Sequence, residues 1–178
     1  MPQLVRRQVA KLLADYYAQP SNRVVGSVLS SEGDINFKLL WGEWHYRRVL
    51  GRLYEKQEGR WLTSVELMRP HYSQTLANFV ANQVAANDNY DKDAAEKQPI
   101  EKSLDIVEMG GGRATNASII LSHLQKTYPD IYDRVNSYTM MDASPSLLEL
   151  QQQTMREGEH FDKMRFELKD LIDVAEEK

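Results

Sequence analysis

The segment Leu104-Asp-Ile-Val-Glu-Met-Gly-Gly-Gly-Arg-Ala114 is an apolar run that ends in an acid and three consecutive glycines. It reads as a buried strand entering a turn that presses on a bound nucleotide. Such a turn has no room for Cβ atoms and uses backbone angles that glycine reaches freely. A helix has to follow. Ala117, Ile120, Leu121, Leu124 and Tyr128 supply its apolar stripe at the 3.6-residue period, with Thr115 or Asn116 as N-cap.

The pattern then repeats. Asn136–Asp142 reads as a second strand, and Ser144-Pro145 opens a helix with an N-cap serine and a proline in its first turn. Leu147, Leu148, Gln151 and Met155 share the inner side of that helix, and Gly158 is placed to stop it. Met164–Asp170 follows as a third short strand. The order β-α-β-α-β from residue 104 predicts an α/β fold, a parallel Rossmann-like half-sheet with right-handed crossovers.

The region upstream reads as mainly helical. Val5, Val9, Leu12, Leu13 and Tyr16 share one helix face beside Arg6, Arg7 and Lys11, a loose likeness to an organelle transit peptide. Asp15 and the two tyrosines suit a packed helix better. Gln19-Pro-Ser-Asn22 breaks it, and Val24–Leu29 has no clear period. From Ile35 to Tyr54, Phe37, Leu40, Trp41, Trp44, Val49, Leu50 and Leu53 predict an aromatic-rich core helix, interrupted near Gly42 or Gly51. Trp61–Pro70 follows a turn at Gly59 and is extended at its end, because Pro70 disfavours helix at Arg69. Tyr72, Leu76, Phe79, Val80 and Val84 mark one face of a further helix, which ends in the polar stretch Asn87–Asp93. Three units are therefore expected: a helical cap over 1–86, a polar linker or surface loop over 87–103, and the half-sheet over 104–178.

Composition narrows the functions. The net charge of −4, from 22 basic and 26 acidic side chains, argues against a nucleic-acid partner, and no basic cluster stands out. The chain has no cysteine, which excludes disulfides, thiolate metal sites and thiol nucleophiles, and no metal site is expected. No apolar run approaches the roughly 18 residues of a membrane span. A hydrophobic content of 42% in 178 residues is enough for a real core.

In an open α/β sheet, ligands bind beyond the carboxyl ends of the strands. Asp142 ends the second strand, where an acid accepts hydrogen bonds from ribose hydroxyls, although it could equally cap the Ser144 helix. Asp170 ends the third, where it can meet the exocyclic amine of an adenine. Glycine spacing then separates the nucleotides. A dinucleotide fingerprint needs G-x-G-x-x-G, and counting on from Gly110 and Gly112 lands on Thr115, which disfavours NAD or FAD.

The pattern Glu108-x-Gly110-x-Gly112-x-Ala114 instead resembles the first motif of S-adenosylmethionine-dependent methyltransferases, with alanine in place of the last glycine. Upstream, Thr63-Ser-Val-Glu66 resembles the T-S/T-P-E element of the MidA-like methyltransferases, with Val65 where that family has proline, and Asp142-Ala-Ser-Pro145 resembles its second-strand end. That resemblance implies S-adenosylmethionine as cofactor, its methionine end held by Glu108, Gly110, Gly111 and Gly112, with Asp142 and Asp170 as further cofactor contacts. It also implies a protein substrate methylated on an arginine side chain, mitochondrial location, and help in respiratory complex I assembly. Glu66 is then the candidate catalytic carboxylate near the transferred methyl, and Thr63 and Ser64 the residues that orient substrate or cofactor. A fold of this kind carries further strands after the third, so a partner chain or second copy is expected at the sheet edge. The competing reading is a non-catalytic binding or assembly module that keeps the scaffold.

Overall fold

The computed structural model describes residues 35–56, 62–93 and 103–170, with seven positions between 5 and 16 that are all helical. The segments Gln19–Asn22 and Val24–Leu29, the turn at Gly59 and residue Trp61 lie outside the described residues. Val5, Val9 and Leu12 are exposed, so the packing expected of the first helix is not seen among the described residues.

Helix α1 spans Glu43–Lys56, preceded by a single 3-10 turn at Phe37–Leu39. The expected interruption falls at Gly42, whose φ of 107° only glycine adopts readily, and α1 runs straight through Gly51. The aromatic stripe is not core: Trp41 is 89% and Trp44 70% exposed. A short helix α2, Ser64–Leu67, is capped by Thr63, whose Oγ1 accepts from the Glu66 amide at 3.3 Å. The end of that segment is a turn rather than extended chain, with Arg69-Pro70 cis.

Helix α3 spans His71–Asp93 and so takes up the first part of the stretch read as a linker. Residues 94–102 are outside the described residues. Its buried face is also one position round from the expected one. Ser73, Ala77, Ala81 and Val84 are buried, whereas Phe79 is 59% exposed and Tyr72 is exposed too. Small side chains let α3 approach its neighbour closely, and that close approach won over side-chain size.

The sheet comprises β1 (Leu104–Met109), β2 (Val135–Asp142) and β3 (Met164–Leu168), all parallel, in the order β1-β2-β3. Between them run α4 (Thr115–Thr127), the short α5 (Pro129–Arg134), and α6 (Pro145–Arg156), which Ser144 caps through Leu147 N–H. The predicted β-α-β-α-β order holds, with α5 as an addition that Pro129 starts. β1 departs from the prediction in being buried on one face only. Leu104, Ile106 and Glu108 turn inward while Asp105, Val107 and Met109 are exposed. β2, flanked on both sides, is almost wholly buried.

One core joins α3, α4 and the sheet. Ala77 and Ala81 meet Ala114, Ala117, Ile120, Leu121 and Leu124, and these pack with Val135, Tyr138, Met140, Met155 and Met164. Polar bonds fix the register of α3. Asn78 Oδ1 accepts from His123 Nε2 at 2.9 Å and from the Tyr128 hydroxyl at 3.1 Å, and Arg134 holds Asp88 through bonds of 2.7 and 3.3 Å. The helix read as part of the cap is thus built into the sheet's own core.

His160 lies buried between helices, with Ser122 Oγ 3.0 Å from Nε2 and the Tyr132 hydroxyl 2.9 Å from Nδ1. Burial, opposed by Glu159 and Asp162, holds its pKa below the ordinary 6.5. As pH falls, the unfolded chain therefore protonates this ring first, so stability is lost below about pH 6.5. Denaturant unfolding at pH 7.5 and 5.5 should show this loss, and His160→Gln should reduce it; an unchanged pH dependence in the variant refutes the assignment. At Gly51 an added Cβ would meet nothing within 4 Å. Gly51→Ala should raise stability by about 0.5–1 kcal/mol in the same assay, as expected inside a helix.

Candidate functional site

The glycine turn is built by alternation in backbone handedness. Gly110, Gly112 and Ala114 take φ values of 69°, 57° and 68°, each in the left-handed region. Alanine at 114 holds the angle at a steric cost of roughly 1–2 kcal/mol, and it is fully buried in the core. This explains why a glycine motif can end in alanine here: the methyl packs inward. Gly110 N–H bonds Met141 C=O at 2.8 Å, fastening the turn to β2, and Ala114 N–H bonds Gly111 C=O at 3.0 Å.

Ala114, and neither Thr115 nor Asn116, is the N-cap of α4, and no side chain caps it. The two predicted caps are used elsewhere. Thr115 Oγ1 donates to Glu66 Oε1, and Asn116 Nδ2 donates to Glu108 Oε1 at 2.8 Å. Glu108 Oε2 accepts from the Tyr138 hydroxyl at 2.9 Å, and burial, with the adjacent Glu108 carboxylate, pushes the Tyr138 pKa far up. This hydroxyl therefore stays a donor at neutral pH.

These bonds bring together two sequence elements some forty residues apart. Thr63, Ser64, Val65 and Glu66 from α2 and its cap form one wall of a cleft of about 260 Å³. Glu108, the glycines, Thr115 and Asn116 form the other. Seven predicted site residues thus share it: Thr63, Ser64, Glu66, Glu108, Gly110, Gly111 and Gly112. Tyr72, Arg113, Thr115 and Asn116 also line it and were not predicted. The signal that could have found Thr115 and Asn116 is their place in the first turn of the helix after the glycines, where side chains face whatever the turn holds.

Asp142 and Asp170 are placed differently. Asp142 is buried at the end of β2, its Oδ1 accepting from Ser144 N–H at 3.0 Å and its Oδ2 from Gln151 Nε2 at 3.1 Å. It does brace the start of α6. Gln151 Nε2 also donates to Gly112 C=O at 3.2 Å, so this side chain ties α6, β2 and the glycine turn together. Asp170 follows β3, and neither acid lines the cleft. Among the described residues no cluster of metal-ligating side chains occurs, and no helix is long and apolar enough to cross a membrane.

The cleft fits a methionine tail through unfilled acceptors in its lining. A Cβ at Gly111 would sit 2.2 Å from Met140 Cε and 3.3 Å from the Glu108 carboxylate, so this glycine is dictated by the packing of the turn on β1 and β2. Glu66 and Asn116 line the cleft, and each buries one oxygen, Oε2 and Oδ1, that has no hydrogen-bond partner. Glu108, Asn116 and the glycine turn would hold the tail. Gly111→Val should lower stability by about 1–3 kcal/mol, since Met140 is sealed in the core and cannot yield freely. The same variant should lose S-adenosylmethionine binding in calorimetric titration; unimpaired binding rules out this turn as the site.

Residues 75–178 match the family described as "Putative S-adenosyl-L-methionine-dependent methyltransferase". Comparison with curated proteins gives no match. Among solved structures, the chain is similar to a protein from Burkholderia thailandensis crystallised with S-adenosyl-homocysteine. Identity is 22% and the TM-score 0.45, over 61% of this chain and 24% of that one. The chain thus spans about a quarter of that protein's length. With more than half of its residues matched, the chain belongs to this family of methyltransferases, whose cofactor is S-adenosyl-L-methionine.

Proposed function

We propose that the cleft between α2 and the glycine turn binds S-adenosylmethionine for transfer of its methyl group to an arginine side chain of a protein substrate. The observation that carries this reading is the convergence of Thr63–Glu66 and Glu108–Gly112 on one cleft at the start of α4. The cofactor's sulfonium makes its methyl group electrophilic, so the protein's work is mainly positioning. Glu108, held from both sides by Asn116 and Tyr138, fixes the first turn of α4 against the end of β1. The N–H groups of the glycine turn and of α4 can receive the tail's carboxylate. Asp142, at the end of β2, and Asp170, two residues beyond β3, belong to the proposal as contacts for ribose and adenine, on the rule that ligands of such sheets bind past the carboxyl ends of the strands.

The MidA-like subgroup, an arginine acceptor, a mitochondrial setting and help in complex I assembly belong to the same proposal, supported by Thr63-Ser-Val-Glu66 and Asp142-Ala-Ser-Pro145. A second reading, a binding or assembly module, is favoured by one feature. The outer edge of β1 has no strand neighbour among the described residues, and Val107 and Met109 are exposed beside it. An edge of that kind suits a partner chain or a second copy.

Calorimetric titration with S-adenosyl-homocysteine and with NADH tests the cofactor. Binding of the former with no heat from the latter is expected, and binding of NADH alone would falsify the methyltransferase reading. Incubation with methyl-labelled cofactor and a mitochondrial protein extract separates enzyme from module: label on arginine supports the first, and tight cofactor binding with no label transfer supports the second.

A further inference from the structure

Two acceptor atoms beside the cleft are out of water and without a hydrogen-bond partner: Glu66 Oε2 and Asn116 Oδ1. Both belong to residues that line it, and both residues are more than nine-tenths buried. Orphaned buried acceptors are costly and rare, and at a cleft they mark where a donor is received. They are also neighbours through Thr115, which precedes Asn116 in the first turn of α4 and donates to the other oxygen of Glu66. Arg69 lies 3.8 Å from Glu66 Oε2, within ion-pair range but too far for a hydrogen bond.

Resting on the S-adenosylmethionine reading, we infer that Glu66 and Asn116 receive the protonated α-amino group of the methionine tail, and that Glu66 serves this end of the cofactor rather than methyl transfer. An ammonium group brings three donors and no acceptor, which suits two unfilled oxygens. A carboxylate would be repelled by Glu66 and is better placed on the N–H groups of the turn. Glu66 is bonded to Thr115 in the first turn of α4, the end of the cleft where the glycine turn would hold the tail. Asn116 is fixed for its part, because one amide N–H is already committed to Glu108, which orients the side chain and leaves Oδ1 without a partner.

The test compares three ligands by calorimetric titration on the whole chain: S-adenosylmethionine, S-adenosyl-homocysteine, and the deamino analogue of the latter, with hydrogen in place of the amino group. The natural chain should bind S-adenosyl-homocysteine about 10- to 100-fold more tightly than the deamino analogue, the range for a charge-assisted hydrogen bond. Glu66→Gln keeps an acceptor for Thr115 and puts an NH₂ donor where the orphan oxygen was. It should weaken both amino-bearing ligands by a similar factor and leave the deamino analogue unchanged.

Equal affinity of the natural chain for the last two ligands overturns the inference, whether or not the variant folds, while leaving the cofactor reading intact. A loss in the variant confined to S-adenosylmethionine overturns it too, by placing Glu66 at the sulfonium. Equal weakening of all three ligands marks a purely structural role and has the same consequence. No binding of any of them by the natural chain sinks the cofactor reading itself.

Discussion

Everything at the cleft depends on one inward-facing carboxylate. β1 alternates, and its inner positions hold Leu104, Ile106 and then Glu108, an acid where the pattern would bury another hydrocarbon. Turning that half-buried group inward is tolerable only if both oxygens are hydrogen-bonded. Tyr138 from β2 and Asn116 from α4 do this, so strand, neighbouring strand and following helix meet on a single side chain. Asn116 can reach it because the chain between reverses through three left-handed residues.

A second clasp works on the opposite wall. Glu66 is brought to α4 through Thr115, while its own backbone is held by the Thr63 cap. Behind it, Ala77 and Ala81 let α3 lie close on α4, and Asn78 stops the two helices from sliding. Helices α2 and α3 and the sheet are for this reason one packed body, with the cleft along their seam.

Much of this is legible in the sequence. Period and punctuation placed the three strands, α4 and α6, since apolar alternation and the Ser144-Pro145 start are local signals. The glycine turn and Glu108 were legible because the constraint there is steric and leaves few residue types. What failed had tertiary causes. Phe79 and Tyr72 are the large residues of α3, yet the buried face belongs to alanines, because helix proximity favours small side chains. Trp41 and Trp44 suggested core by their chemistry alone and are exposed. Thr115 and Asn116 look like helix caps; only the arrival of Glu66 and Glu108 from elsewhere gives them other partners. Gln151 was read as an inner-face residue of α6, and its bond to the glycine turn depends on a contact that no sequence spacing encodes.

The bond between Glu66 and Thr115 carries one further implication. It closes across the two walls through protein groups alone, and each oxygen of Glu108 likewise already accepts one bond from the protein. Binding therefore does not have to spend interaction energy on ordering the walls, a cost of about 0.5–1.5 kcal/mol for each flexible side chain immobilised on association. The cleft is preorganised: its selectivity rests on fixed positions of oxygen and bare backbone, and a ligand of the wrong shape meets walls already braced against adjusting to it.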